Sequence, residues 1–356
     1  MKGIILHGGS GTRLRPITHT GPKQLIPIAN RPNSQFALED LKHAGIMEIA
    51  IVLGEIYPDK VREYYGDGAR FGVNITYIHQ GKPQGIAHAV GLCREFVGHE
   101  QFVVYLGDNL LRGGIQDYAK EFVKSSADAM FLLTEVKDPG RFGVAKLGKG
   151  GELLGVVEKP KTPPSDYALV GIYFFTPKIF NVIENLQPSQ RGELEITDAI
   201  DELIRSGTVT YGIVSGWWKD TGTVQDLLEA NRLVLDEMPP RVLGKIEDQS
   251  SLQGRVSVGR GSTVKKGALI RGPASIADYS LISDGVYVGP YTSIGSRVVI
   301  RAGEIENSVV MDSAEIDIDD RLVDSLIGPG VKVTSSHKLS PRGKRLLLGE
   351  NSSVFI

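Results

Sequence analysis

From Ile246 onward an aliphatic side chain recurs at every sixth position, and this period restricts the fold more than any other feature of the chain. The series Ile246, Leu252, Val258, Val264, Ile270, Ile276, Ile282, Val288, Ile294 and Ile300 runs ten positions without a miss. Small or β-branched residues follow four places after most anchors, at Ser262, Ala268, Ala274, Ser280, Val286, Thr292 and Val298. A period of six matches neither the 3.6 of a helix nor the two of an alternating strand. It fits one flat side of a triangular parallel β-helix, where each anchor points inward and stacked coils bury what a lone coil leaves wet. The alternative is a strand meander that falls on sixes by chance, and ten successive hits argue against it. Beyond Ile300 the register loosens through Ile305, Val310, Ile316, Leu322 and Ile327, which predicts less regular coils and a C-terminal cap.

The first 235 residues follow another grammar. The runs 3–6, 48–53, 75–79 and 102–107 read as buried strands, and the segments 34–45 and 84–96 between them carry helical spacing. Strands alternating with helices imply crossover units and a mostly parallel, doubly wound α/β sheet. After residue 126 four apolar runs crowd together as a strand-rich addition, and 195–207 and 224–238 return to helix. Pro239 and Pro240 then interrupt the chain. A length of 356 residues accommodates two domains, expected at 1–238 and 239–356.

Composition removes several function classes. Forty basic and forty-two acidic side chains give a net charge of −2, which argues against a nucleic-acid coat or a polybasic membrane anchor. Cys93 is the single cysteine, so neither an internal disulfide nor a cysteine-based zinc site is available. No apolar run approaches the roughly 18 residues of a membrane span. The N-terminal MKGIIL meets HGGSG too soon for a signal-peptide core, so a cytoplasmic protein is expected.

Residues 8–25, GGSGTRLRPITHTGPKQL, follow the first strand, where a doubly wound sheet places its ligand crevice. A dinucleotide fingerprint fails because Leu14 occupies the third glycine position, and no P-loop spacing exists anywhere. A lone GGxG is usually a tight turn. Here Arg13, Arg15 and Lys23 stand beside it, and glycines let main-chain N–H groups converge on phosphate oxygens, so polyphosphate binding is the expectation.

The segment GGSGTRLRPIT…PKQL resembles the signature of sugar-1-phosphate nucleotidylyltransferases, most closely the long form of glucose-1-phosphate thymidylyltransferase, whose tail is a left-handed β-helix. The resemblance covers essentially the whole chain. It implies that Arg13 and Lys23 bind the triphosphate catalytically, and that Leu6, Gly8, Gly9, Ser10, Gly11 and Thr12 line the nucleotide. Two positions depart from the family pattern: His7 stands where alanine is common, and Asn33 interrupts a usually apolar stretch.

Asp108 follows the strand 102–107 and Asp220 lies in GWWKDTGT. A single aspartate is commonly a cap or turn former. Two carboxylates with phosphate oxygens make the incomplete oxygen shell that Mg²⁺ prefers, and the resemblance assigns metal binding to both. Gln80 and Gly85 lie five residues apart after the third strand, and a glutamine amide offers the donor–acceptor pair that reads a pyrimidine edge. By chemistry alone a polar loop is an equal reading; the resemblance favours the thymine or uracil base. Glu158 and Lys159 end another strand, where a carboxylate suits sugar hydroxyls and an ammonium suits a monoester phosphate. The resemblance adds Asn109, Gly143 and Val170 as sugar contacts, Arg191 as a phosphate contact, and a catalytic role for Lys159.

The expected reaction transfers a nucleotidyl group from dTTP to glucose 1-phosphate. UTP or another sugar is an alternative, since Gln80 suits both pyrimidines. An acetyltransferase tail is a second, but that chemistry needs a base and no histidine lies between His99 and His337. A non-catalytic scaffold is a third, disfavoured because the loop cations and acids are all present. Flat β-helix sides favour a homo-oligomer.

Overall fold

The chain forms two compact units, and the computed structural model describes residues 1–9, 11–335 and 352–354. Ser10 and most of the expected C-terminal cap lie outside the described residues. The first unit comprises 1–10, 21–25 and 33–220. The expected runs become strands β1 (Lys2–His7), β2 (Glu48–Gly54), β3 (Asn74–Gly81) and β4 (Phe102–Leu106), all parallel in the order β3-β2-β1-β4. After a short β5 (Asn109–Leu111), the strand-rich addition supplies β6 (Ala129–Glu135), β7 (Gly143–Leu147), β8 (Leu153–Glu158) and β9 (Tyr167–Phe175). Strand β9 runs antiparallel to β4, and β6 to β8 extend the sheet from it. Strand β10 (Val209–Ile213) joins β6 in parallel, while β11 (Trp218–Asp220) forms a separate ladder with β5. The sheet is mixed.

Both faces of β1, β2 and β4 are buried, which is why their sequences read as continuous apolar runs. Ile4, Leu6, Ala50, Val52 and Val104 face one layer, which is filled by helices α3 (Ile86–Gly91), α6 (Lys178–Ile183) and α7 (Ile196–Ser206). Ile5, Ile49, Ile51, Leu53 and Tyr105 face the other, covered by α1 (Asn33–His43), α2 (Pro58–Tyr65) and α5 (Gln116–Lys124). The helix expected over 84–96 is two helices, α3 and α4 (Arg94–Val97). The Cys93 N–H donates to Val90 O at i−3, which ends the α-helical ladder, and the thiol is buried.

The second unit comprises 11–20, 26–32 and the chain from Thr221. Its strands pair in parallel at offsets of 18, three sides of six: Ile246 with Val264, Ile282 and Ile300; Leu252 with Ile270 and Val288; Val258 with Ile276 and Ile294. The looser anchors keep their sides at offsets of 16 or 17, where Ile300 pairs Ile316, Ile305 pairs Leu322 and Val310 pairs Ile327. This is the ladder of a parallel β-helix, with the anchors forming one core.

Helix α8 (Val224–Glu237), expected in the first domain, groups with this second unit, as do 11–20 and 26–32. Buried Asn231 explains the regrouping. Its Oδ1 accepts from Ala29 N at 2.9 Å and Ser293 Oγ at 2.7 Å, and its Nδ2 donates to Tyr291 O at 2.9 Å. One amide thus ties the helix, the 26–32 hairpin and a β-helix coil together.

Candidate active site

Strand β1 lies between β2 and β4, so the chain leaves it to one side and returns on the other. In such sheets ligands bind at the carboxyl ends of the strands where the order reverses. Gly8 and Gly9 leave β1 there, and Gly107 and Asp108 leave β4, the two exits being tied by Gly107 N–H donating to Leu6 O at 3.0 Å. Gly9 has a positive φ of 97°, and a Cβ built on it would lie 3.7 Å from Lys23 Cε. A bare backbone and an ammonium therefore meet at one point. Lys23 Nζ is ion-paired with Asp108, which is 9% exposed. Burial pushes the Asp108 carboxyl up, but the Lys23 ammonium and the Asn109 amide outweigh it and hold the group below the usual carboxylate range.

Asn109 donates from Nδ2 to Asp108 Oδ1 at 3.0 Å and accepts from Trp218 Nε1 at 2.7 Å. Trp218 in turn packs edge-on against Phe142 at 5.3 Å between ring centroids. The β5–β11 ladder sets Asp220 opposite Asn109, one residue from Asp108. The two candidate metal ligands, 112 positions apart, are brought together by a three-residue pairing. Trp218 is the hydrogen-bond donor that fixes Asn109.

Gln80 is the penultimate residue of β3, with its Nε2 donating to Gly85 O at 3.1 Å and its Oε1 3.3 Å from a Cβ position on Gly8. The donor is thus engaged and the acceptor faces the loop. Gly85 has φ 101°, and a Cβ there would stand 2.3 Å from Leu194 O, so the position admits glycine alone.

Glu158 closes β8 opposite Gly143 and accepts from Arg191 Nη1 at 3.2 Å and Thr197 Oγ1 at 3.3 Å, with Lys159 Nζ also 3.3 Å away. Arg191 is further held by Glu193 at 3.2 Å and Glu195 at 3.3 Å, whereas Lys159 has Glu158 as its one ion-pair partner among the described residues. Lys159 is therefore the more available cation for a phosphate. Its φ of 40°, directly before Pro160, is an unfavourable backbone conformation of the kind concentrated at functional sites. Burial and the Glu158 charge push the Glu195 carboxyl up, against the Ser189 hydroxyl and Arg191. Thr197 and Tyr173 escaped the sequence reading. The Tyr173 hydroxyl is pushed up by burial and by the charges of both Glu158 and Asp108, so those two carboxylates share one buried neighbour.

The other expected contacts are placed differently. Leu6 and Val170 are core residues, with Val170 fully buried on the β9 stretch where the ladder to β6 shifts register. Both side chains pack in the core layers on either side of the sheet. Gly11, Thr12 and Arg13 group with the second unit: Gly11 has φ 60°, its carbonyl accepts from Thr18 Oγ1 at 2.8 Å, and Arg13 is exposed on a short 3₁₀ turn.

Comparison with known proteins shows the family. A family model described as nucleotidyl transferase matches residues 2–237. The chain belongs to the nucleotidyl transferase family. Over 355 residues, 99% of each chain, it is 47% identical to the low-salt glycan biosynthesis nucleotidyltransferase Agl11 of Haloferax volcanii. It is 45% identical over its full length to a glucose-1-phosphate thymidylyltransferase of Streptomyces griseus, covering 99% of that protein. A Bacillus anthracis structure assigned as a glucose-1-phosphate thymidylyltransferase, in complex with sucrose, superposes with a TM-score of 0.64 at 44% identity. That alignment covers 68% of this chain and 98% of the other. This nucleotidyltransferase is thus an enzyme with full-length relatives. Among its described residues no helix is long and apolar enough to cross a membrane.

Proposed function

We propose that this enzyme binds dTTP with Mg²⁺ on residues 8–13 and transfers its nucleotidyl group to glucose 1-phosphate, releasing pyrophosphate. The observation that carries the reading is the Lys23–Asp108 pair beside Gly9, where backbone, cation and carboxylate converge at the switch point of the sheet. Gly8, Gly9, Ser10, Gly11 and Thr12 offer main-chain amides to the phosphates, and Arg13 and Lys23 neutralise charge moving onto the leaving pyrophosphate. Asp108 and Asp220 supply hard oxygen ligands that suit Mg²⁺. The ion, when bound, neutralises phosphate charge.

The attacking group is the sugar phosphate itself. Its second pKa is near ~6, so at neutral pH it is largely dianionic and needs no general base. Lys159 holds that phosphate, Glu158 accepts from sugar hydroxyls, and Asn109, Gly143 and Arg191 complete the surround. In this orientation the Gln80 oxygen, which faces the loop, accepts from the N3–H of thymine or uracil, whereas cytosine presents an acceptor there and is refused. The β-helix is left-handed in this reading, and the protein is a cytoplasmic homo-oligomer.

Pyrophosphate release over a matrix of nucleoside triphosphates and sugar 1-phosphates tests it. Turnover should be greatest for dTTP with glucose 1-phosphate, lower but measurable for UTP, and negligible for dCTP. Silence across the matrix from folded protein would overturn the reading in favour of a scaffold.

A further inference from the structure

Alternation along β1 sends residues 5 and 7 to the same face, so His7 enters the interior beneath the loop. Its ring is 4% exposed and stands edge-on to Tyr65 at 6.0 Å between centroids. Among the described residues neither Nδ1 nor Nε2 has a hydrogen-bond partner. Gln24, 1% exposed, shares this space: its Cγ and His7 Cδ2 each lie 3.3 Å from a Cβ position on Gly107. Gln24 Nε2 donates to Gly8 O at 2.7 Å, but its Oε1 is buried and equally without a partner among the described residues. Ser34 closes the region, donating to Gln24 O at 3.1 Å and sharing a hydrogen bond with Tyr65 OH at 2.7 Å.

A neutral imidazole brings one donor and one acceptor, and leaving a buried polar group without a hydrogen bond is costly. An alanine at this position would carry no such cost. Three orphan atoms in one region call for a partner that satisfies several at once, and enclosed water does so, typically with about three hydrogen bonds.

We infer that His7 and Gln24 enclose an ordered water, and that through it His7 is a positioning residue for the phosphate loop. The imidazole N–H donates to the water, which donates to Gln24 Oε1 and so fixes the amide that holds Gly8 O. In a trans peptide the N–H of Gly9 points opposite to the carbonyl of Gly8, so holding one aims the other away from Gln24. The kinetic consequence rests on the loop being the triphosphate cradle; the water itself does not.

High-resolution crystal structures of the full-length protein and its His7→Ala and His7→Gln variants, with KM and kcat for dTTP, test the inference. The wild type should show ordered water within hydrogen-bond distance of a His7 ring nitrogen and Gln24 Oε1. His7→Ala should displace it and raise KM for dTTP about fivefold, the equivalent of one net hydrogen bond, with kcat nearly unchanged. His7→Gln should restore both. A dry region, a ring bonded directly to Gln24, or wild-type KM in His7→Ala overturns the inference. Should His7→Ala fail to fold, the wild-type and His7→Gln structures decide it. A wild type that holds the water but turns over no substrate would instead overturn the functional reading.

Discussion

Lys23 and Asp108 are 85 positions apart in the chain, yet their pairing beside a side-chain-free backbone gives the site its charge pattern. Lys23→Ala and Arg13→Ala should each lower kcat by about 10²–10³-fold in a pyrophosphate-release assay, the loss seen when one preorganised donor to developing charge is removed. Near-wild-type turnover in either variant would take that residue out of the mechanism. His7 supplies a prediction of another kind. Burial pushes its imidazole down to about 3, against the opposing pull of Asp108. Asp108, itself held by Lys23, and the Tyr65 ring are what it faces. A folded pKa below the unfolded value of about 6.5 means the unfolded chain alone takes up a proton between those limits. The contribution is therefore complete above pH 6.5 and is lost as pH falls toward 3, at up to about 1.4 kcal/mol per unit. Urea midpoints should drop less between pH 7 and pH 5 in His7→Gln than in the wild type; equal drops would contradict the buried neutral ring. The candidate cations and glycines could be proposed from sequence because three cations beside a glycine loop after a buried strand are an uncommon combination. The burial of Val170 and Leu6 could not be separated from a ligand role in sequence, because an apolar residue in the core and one at a ligand look alike in one dimension.

At the scale of elements, what sequence revealed depended on how many apolar positions each element commits. The sixfold anchors were legible because every coil repeats the same inward contact, and the offset of 18 is three such sides. Helix α2 buries only Val61 and Tyr65, and α5 only Ala119 and Phe122, too few to set a period. The β5–β11 ladder spans three residues a side and joins segments about a hundred positions apart, so no local pattern could announce it. Grouping α8 with the β-helix was equally hidden, since it depends on a polar residue, Asn231, inside a helix. Asn231→Ala should lower stability by about 1–3 kcal/mol, because it strands the Ala29 N–H, the Ser293 hydroxyl and the Tyr291 carbonyl. Chemical denaturation measures it; an unchanged midpoint would mean solvent satisfies those groups instead.

For the molecule as a whole, near-balanced charge and a repeat-built tail frame a chemistry that needs no side-chain base, only positioning and neutralisation of phosphate charge. Chelation should accordingly abolish pyrophosphate release, and added Mg²⁺ should restore it; turnover that persists in excess chelator would remove the metal from the account. The most direct measurement is a crystal structure of the protein with dTTP and Mg²⁺. The account predicts the triphosphate along residues 8–13 with Lys23 on a phosphate, the thymine N3–H on Gln80, and the ion between Asp108 and Asp220. A nucleotide bound elsewhere, with Lys23 still paired to Asp108, would contradict it.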